Sequence, residues 1–190
     1  MTALIGFVFF GLFSPGPNVI LLTTSGARFG FRATLPHLLG VALGVGIIAF
    51  FTGLGLGALI TTFPVMRAVL TVVACLWILW MAWKLWNARP AETRDTDRPF
   101  TFAEAVLFQW VNPKIWAVAT SATAIIADLS PFAQAVTLGL TFSGTNLVVC
   151  LFWTYAGSLL SALLSDPTKW RIFMRGMAIA LAVFSVLVFL

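Results

Sequence analysis

Two short runs carry the residue types and spacings from which a polar site can be built inside an otherwise apolar chain. Ser14, Pro15, Gly16, Pro17 and Asn18 interrupt the first hydrophobic segment, and Asn112, Pro113 and Lys114 interrupt the fourth. Pro15 and Pro17 lack the N–H groups that would bond to the carbonyls of Gly11 and Phe13, and each ring pushes the preceding residue out of the helical region. Pro113 frees the carbonyl of Gln109 in the same way. Each segment is therefore expected as two half-helices. In hydrocarbon such breaks are tolerated only where they pack within protein or line a polar cavity.

The chemistry follows from the ends. A half-helix ending near Phe13 presents carbonyls that favour a cation, and one beginning beyond Pro17 presents amides that favour an anion. Two such ends side by side suit the ammonium and the carboxylate of one small molecule. Lys114 can add a second carboxylate contact, while Asn18, Gln109, Asn112 and Asn146 offer neutral hydrogen bonds. Trp110 and Trp116 bracket the second break, where they cover a cargo side chain or pack against lipid and core. The candidate binding set is thus Ser14, Pro15, Gly16, Pro17, Asn18, Gln109, Asn112, Pro113, Lys114 and Asn146.

Lys114 lies ten residues from Glu104 and fourteen from Asp128. At ~1.5 Å per residue that is near mid-membrane, where a charge costs at least ~2.5 kcal/mol and marks a pathway or site. Snorkelling to an interface would have to cover about 15 Å, too far for one side chain. All six acidic residues fall near span ends or in loops. Proton coupling is therefore left to Lys114, His37, a water network or the ionisation of the cargo. His37, just after Pro36, is expected as a solvated interfacial group, with coupling as its alternative role.

The elements that must hold these residues are set by composition. Across 190 residues, 61% are hydrophobic and 9% charged, and the mean hydropathy is +1.03. A soluble domain carries nearly three times that charge, so an all-α integral membrane protein is expected, with the lipid bilayer as its surroundings. Six spans of about 20 residues or more can be placed at 2–26, 36–60, 65–87, 102–127, 131–164 and 168–190. No Lys or Arg precedes Arg28, so a basic leader region is not expected and the first segment reads as a retained span.

Glycines mark the second span. Gly40 and Gly44 share one face, and Gly46, Gly53 and Gly57 fall on another; small residues let helices approach closely in lipid. Packing within the chain is the favoured use, with a homodimer through one stripe as the alternative. In the third span Trp77, Trp80, Trp83 and Trp86 recur every third residue. They are expected as lipid-facing packing ending in an interfacial belt, with a cation-binding lining as the alternative. Ser130 before Pro131 and Asp166 before Pro167 are N-caps followed by proline at the first helical position. Asp128 falls in the same short loop as Ser130.

Lys and Arg set the orientation. Arg28 and Arg32; Lys84, Arg89, Arg94 and Arg98; and Lys169, Arg171 and Arg175 put nine on one side, against Arg67 on the other. By the positive-inside rule the nine face the cytoplasm, so both termini are periplasmic. The net charge of +5 is then topology, and no basic patch is left over for nucleic acid. Three spans with an early proline break are followed by three more with an early proline break. The odd number inverts the second unit. This is the pattern of an inverted repeat whose discontinuous helices meet at a transport site, with repeats at 1–87 and 102–190 and a polar linker at 88–101. Six transmembrane helices in two inverted three-helix repeats, the first and fourth helices broken at proline motifs, are the expected fold.

Several of these stretches resemble the LysE/RhtB family of bacterial amino-acid exporters. They are SPGPN at Ser14–Asn18, the glycine-rich run from Gly40 to Ile60, WKLW at Trp83–Trp86, and QWVNPKIW at Gln109–Trp116. The resemblance runs through almost the whole chain in order. It implies a multi-pass protein of the bacterial inner membrane that exports amino acids or close derivatives at the expense of the proton gradient. It carries site roles to Pro15, Gly16, Pro17, Asn18, Asn112, Pro113 and Lys114. Many relatives have an acid where this chain has Val45, and a tyrosine near Leu76; the missing acid favours a neutral over a cationic cargo.

No enzyme chemistry, cofactor or metal is expected. Cys75 and Cys150 lie in hydrophobic runs without a neighbouring ligand at metal spacing and read as buried apolar fillers. A membrane thiol/disulfide conductor using that pair is the alternative function, although the two cysteines are not at equivalent positions of the repeats. A non-transporting membrane partner would leave Lys114 without a role.

Overall fold

The computed structural model describes residues 1–57, 62–88 and 98–187. Most of the linker (89–97), the last residues of the second span (58–60) and of the sixth (188–190), with Arg89 and Arg94, lie outside the described residues. Among the described residues all regular structure is helical: α1 (Thr2–Phe13), α2 (Pro17–Phe29), α3 (Phe31–Gly53), α4 (Pro64–Trp86), α5 (Phe102–Trp110), α6 (Pro113–Thr123), a 3-10 turn at Ala124–Ile126, α7 (Pro131–Leu163) and α8 (Pro167–Leu187). Among the described residues four helices are long and apolar enough to cross a membrane, or five if α1 and α2, bent by 60° at the Ser14–Gly16 break, count as one span. Halved at Val111–Asn112 and carrying Glu104, Gln109 and Lys114, α5 and α6 do not pass that test of length and composition.

Each boundary has a local cause. Pro17, Pro64, Pro113, Pro131 and Pro167 all stand at helix starts, where the missing N–H has no intrahelical partner to lose. Ser130 accepts from the Ala133 amide, at 3.4 Å. Asp166 Oδ1 accepts from the amides of Thr168 and Lys169, at 2.8 and 2.9 Å. Thr101 and Glu104 cap each other reciprocally at the start of α5. One boundary departs from expectation: α3 begins at Phe31, not Pro36, because the turn is made by Gly30 at φ 82°, a backbone region that glycine reaches without strain. Pro36 then sits in the second turn of α3 and forfeits a single helical bond.

The central element is α3, which packs most extensively on α7 and also touches α2, α5 and α6. Its glycines face inward on two sides. A Cβ on Gly40 would crowd the Phe102 carbonyl, and one on Gly44 would stand 2.8 Å from Gln109 Cγ, both on α5. One on Gly46 would meet Ser143 Oγ at 2.7 Å, and one on Gly53 the backbone of Ala135 at 2.6 Å, both on α7. These stripes are therefore used within the chain. α2 also crosses α7 closely, where Gly26 lies against the Thr154 carbonyl and Gly157 against the Thr23 carbonyl.

Two apolar clusters follow from this packing. One joins α1, α3, α6 and α7 through Leu4, Val8, Val45, Ile48, Ile115 and Phe142. The other joins α2, α4, α5 and α8 through Leu21, Ile78, Met81, Phe108, Met174 and Leu181. The tryptophans of α4 are all exposed in part, and Trp77, Trp80 and Trp83 stand on the wall of a large cavity beside α2. Among them Trp80 carries the Lys84 ammonium 3.9 Å above its ring, and Trp86 the Arg175 guanidinium at 4.7 Å.

Candidate functional site

The chain halts α1 at Ser14, extended at φ −61° and ψ 145°, and restarts helix at Pro17. It halts α5 at Val111 and restarts it at Pro113 after an extended Asn112. The freed carbonyls find partners close by. Ser14 Oγ donates to the Gly11 carbonyl at 2.9 Å, the Asn112 amide to the Gln109 carbonyl at 3.2 Å, and the Trp116 indole to the Trp110 carbonyl at 3.0 Å. That last bond gives Trp116 a structural role beside the break, with its ring edge-on to Trp110 at 6.1 Å.

The two breaks meet. Lys114 Nζ donates to the Ser14 carbonyl and, at 2.9 Å, to Ser14 Oγ. Its ammonium thus lies at the carbonyl end of α1, where a cation is favoured. Gly16 makes room for it: a Cβ there would stand 2.9 Å from Lys114 Cδ and 3.0 Å from Nζ. A second bridge joins Asn18 and Gln109. Asn18 Nδ2 donates to Gln109 Oε1 at 2.8 Å, and Gln109 Nε2 donates back to Asn18 Oδ1 at 3.2 Å. Gln109 Nε2 also donates to the Ala105 carbonyl at 3.0 Å, and Asn112 Nδ2 reaches Gln109 Oε1 at 3.5 Å. Asn146 enters from α7 and bonds the Val41 carbonyl on α3 at 3.4 Å.

Gln109, Asn112 and Asn146 are fully or almost fully buried. Asn112 Oδ1 has no hydrogen-bond partner among the described residues. A buried acceptor left so costs about 1–3 kcal/mol, which a bound donor would recover. Around it Gly16, Asn18, Asn112, Lys114 and Asn146, with apolar neighbours that include Leu22 and Cys150, line a cavity of ≈ 10 Å³. That is room for about one water.

The expected carbonyl-end position for a cargo ammonium is therefore held by Lys114 itself, because its side chain is long enough to cross from α6 to α1. Ser14, Pro15, Gly16, Pro17, Asn18, Gln109, Asn112, Pro113, Lys114 and Asn146 all gather at the two breaks or the cavity between them. His37 does not. It is also not solvated: its ring is 2% exposed, packs against Phe100 at 5.1 Å, and has no hydrogen-bond partner at either nitrogen. It lines a separate cavity of ≈ 500 Å³. The early start of α3 brings this about by turning His37 inward. Thr101 was a further local signal, since Thr-x-x-Glu ahead of an apolar run encodes the capping box. Cys75 and Cys150 are both free and buried. Cys75 donates to the Ser185 carbonyl at 3.3 Å, whereas Cys150 lines the break cavity.

Comparison with known proteins gives one family, LysE type translocator, whose model matches residues 9–190. No curated protein and no solved structure matches the chain. With apolar spans, two helix breaks joined through a lysine, and a family match over nearly its full length, the chain belongs to the LysE type translocator family and is a multi-pass membrane transporter of amino acids in the broad sense.

Proposed function

We propose that the chain exports small zwitterionic amino acids or derivatives, neutral rather than cationic, from the bacterial cytoplasm by alternating access at the two breaks. The observation that carries this reading is the Lys114 ammonium on the carbonyl end of α1. Without cargo it fills the place that a substrate ammonium would take. A zwitterion can replace it atom for atom: its ammonium takes the Ser14 end, and its carboxylate takes the released Lys114 ammonium and the amide end of α2 at Gly16–Asn18. Asn112 Oδ1 supplies a waiting acceptor. The ≈ 10 Å³ cavity is too small for this cargo, so loading requires the broken helices to part.

In this reading six spans form two inverted repeats, 1–87 and 102–190, joined by the 88–101 linker. The packing pairs support it. The second helices of the two units, α3 and α7, lie together, as do the third, α4 and α8; α1 and α2 pack on α7, as α5 and α6 do on α3. The side carrying Arg28, Lys84, Arg98 and Lys169 is cytoplasmic and the termini are periplasmic. Export is driven by protons, with Lys114 and His37 as the groups that can exchange them. A thiol-conducting role is not retained, since Cys75 and Cys150 are buried in separate surroundings and the family is one of transporters.

Counterflow in proteoliposomes tests the reading. Exchange of a narrow set of neutral amino acids, faster with an inward-acid gradient, is the expected result. Absence of exchange for every amino acid by well-folded protein would overturn it.

A further inference from the structure

The ≈ 500 Å³ cavity between α2, α4 and the start of α5 is distinct from the breaks and has the size of a small-molecule site. Its lining sorts by chemistry. Leu21, Trp77, Trp80, Met81 and Phe100 form an apolar wall, and Arg28, Lys84 and Arg98 bring positive charge. Glu104 is the single acid among the described lining residues, and both its oxygens are bonded by Arg98, at 2.7 and 2.8 Å. His37 faces this cavity nearly fully buried, with both ring nitrogens unpartnered. A neutral imidazole offers one donor and one acceptor, and such a pair in a large cavity is an unfilled polar site.

We propose that this cavity is a second binding site, which takes the carboxylate of a small molecule with an apolar tail. The cationic rim draws the carboxylate, the His37 N–H donates to it, and the tryptophan wall covers the tail. A cationic molecule finds no free acid among the described lining residues. Ser25, also on the lining, lies seven residues beyond Asn18 on α2, about 10 Å along the helix. The cavity is thus placed to hold cargo before the breaks open. That loading role rests on the transport reading; the binding itself does not. An anionic lipid offers the same chemistry, phosphate on an acyl tail, so the test must separate the two sources.

The test uses the full chain with Trp83→Cys in phosphatidylcholine nanodiscs. Trp83 lines the cavity and is well exposed, while Cys75 and Cys150 are buried. Labelling by a neutral maleimide is timed with 4-methylpentanoate, L-leucine or 4-methylpentylamine as probe. The two carboxylates should slow labelling about fivefold or more, in the ratio 1 + [L]/Kd, and the amine should not. His37→Ala and, at an exposed position that leaves folding intact, Lys84→Glu should each remove the protection. Lys114→Ala should keep it, and protection in a natural chain that exchanges no amino acid would tell against the export reading and leave this site standing. Three results would overturn the site: no protection by either carboxylate, equal protection by the amine, or protection unchanged in both variants. Protection produced by phosphatidylglycerol and not displaced by 4-methylpentanoate would overturn it in favour of lipid.

Discussion

Lys114, one hundred residues beyond Ser14 in the chain, donates to both the carbonyl and the hydroxyl of Ser14. Asn18 stands in the corresponding relation to Gln109. Lys114 and Asn18 are each the second residue of a half-helix that begins with proline, and each bonds the last turn or cap of the other segment's first half. The two breaks are thereby clasped twice, once by a charge and once by a pair of amides.

The amide clasp should be measurable by itself. A double-mutant cycle on Asn18→Ala and Gln109→Ala is expected to return a coupling of about 0.6 kcal/mol and no more than about 1.7, the span found for side-chain hydrogen bonds between helices in membranes. Unfolding in mixed micelles gives the value. Strict additivity would mean that the pair does not hold the breaks together.

Gly16→Ala should separate folding from transport. The added methyl meets only the flexible end of Lys114, so the side chain moves aside at little cost to stability. The bonds to Ser14 are lost with that movement. The melting temperature should stay within a few degrees while amino-acid counterflow falls about tenfold, the effect of ~1.4 kcal/mol. Counterflow at the natural rate would dissociate Lys114 placement from function.

Glycines elsewhere should respond according to what faces them. Gly157→Ala drives a methyl into the Thr23 carbonyl, backbone that cannot swing away, and should cost about 1–3 kcal/mol as overpacking does. Gly144 is exposed in the same helix with nothing near it. Gly144→Ala should therefore stabilise by about 0.5–1 kcal/mol. Thermal melts of the two variants check the opposite signs.

The start of α8 should loosen in acid. The Lys169 and Thr168 amides hold the Asp166 carboxylate below its ordinary value of 3.8. A group whose folded pKa is depressed stabilises above its unfolded pKa, and that contribution is lost as pH falls through the lowered folded value. Amide exchange at Thr168 and Lys169, corrected for intrinsic rates, should therefore accelerate only below pH 3.8. In Asp166→Ala it should be fast at every pH.

These responses also indicate what the amino-acid sequence could disclose. Helix ends at Pro17, Pro113, Ser130 and Asp166 were legible because proline and capping chemistry act within a few residues. So was the inward use of Gly40, Gly44, Gly46 and Gly53, since only close packing explains them on a long apolar helix. The partner of Lys114 was not legible: Ser14 is reached only after two segments fold back on one another, and nothing local encodes that contact. His37 was misplaced for a similar reason. The turn at Gly30 overrode Pro36 as the start of α3, which carried the imidazole from the expected solvent into a cavity formed with α2 and α4.

Counterflow by Lys114→Ala beside the natural chain, at equal insertion into proteoliposomes and with folding checked by melting, bears most directly on the account. A hydrogen bond to a charged group contributes about 1.5–3 kcal/mol, so exchange should fall by tenfold or more while the protein remains folded. Exchange at the natural rate in that variant would contradict the assignment of the cargo site to the two breaks.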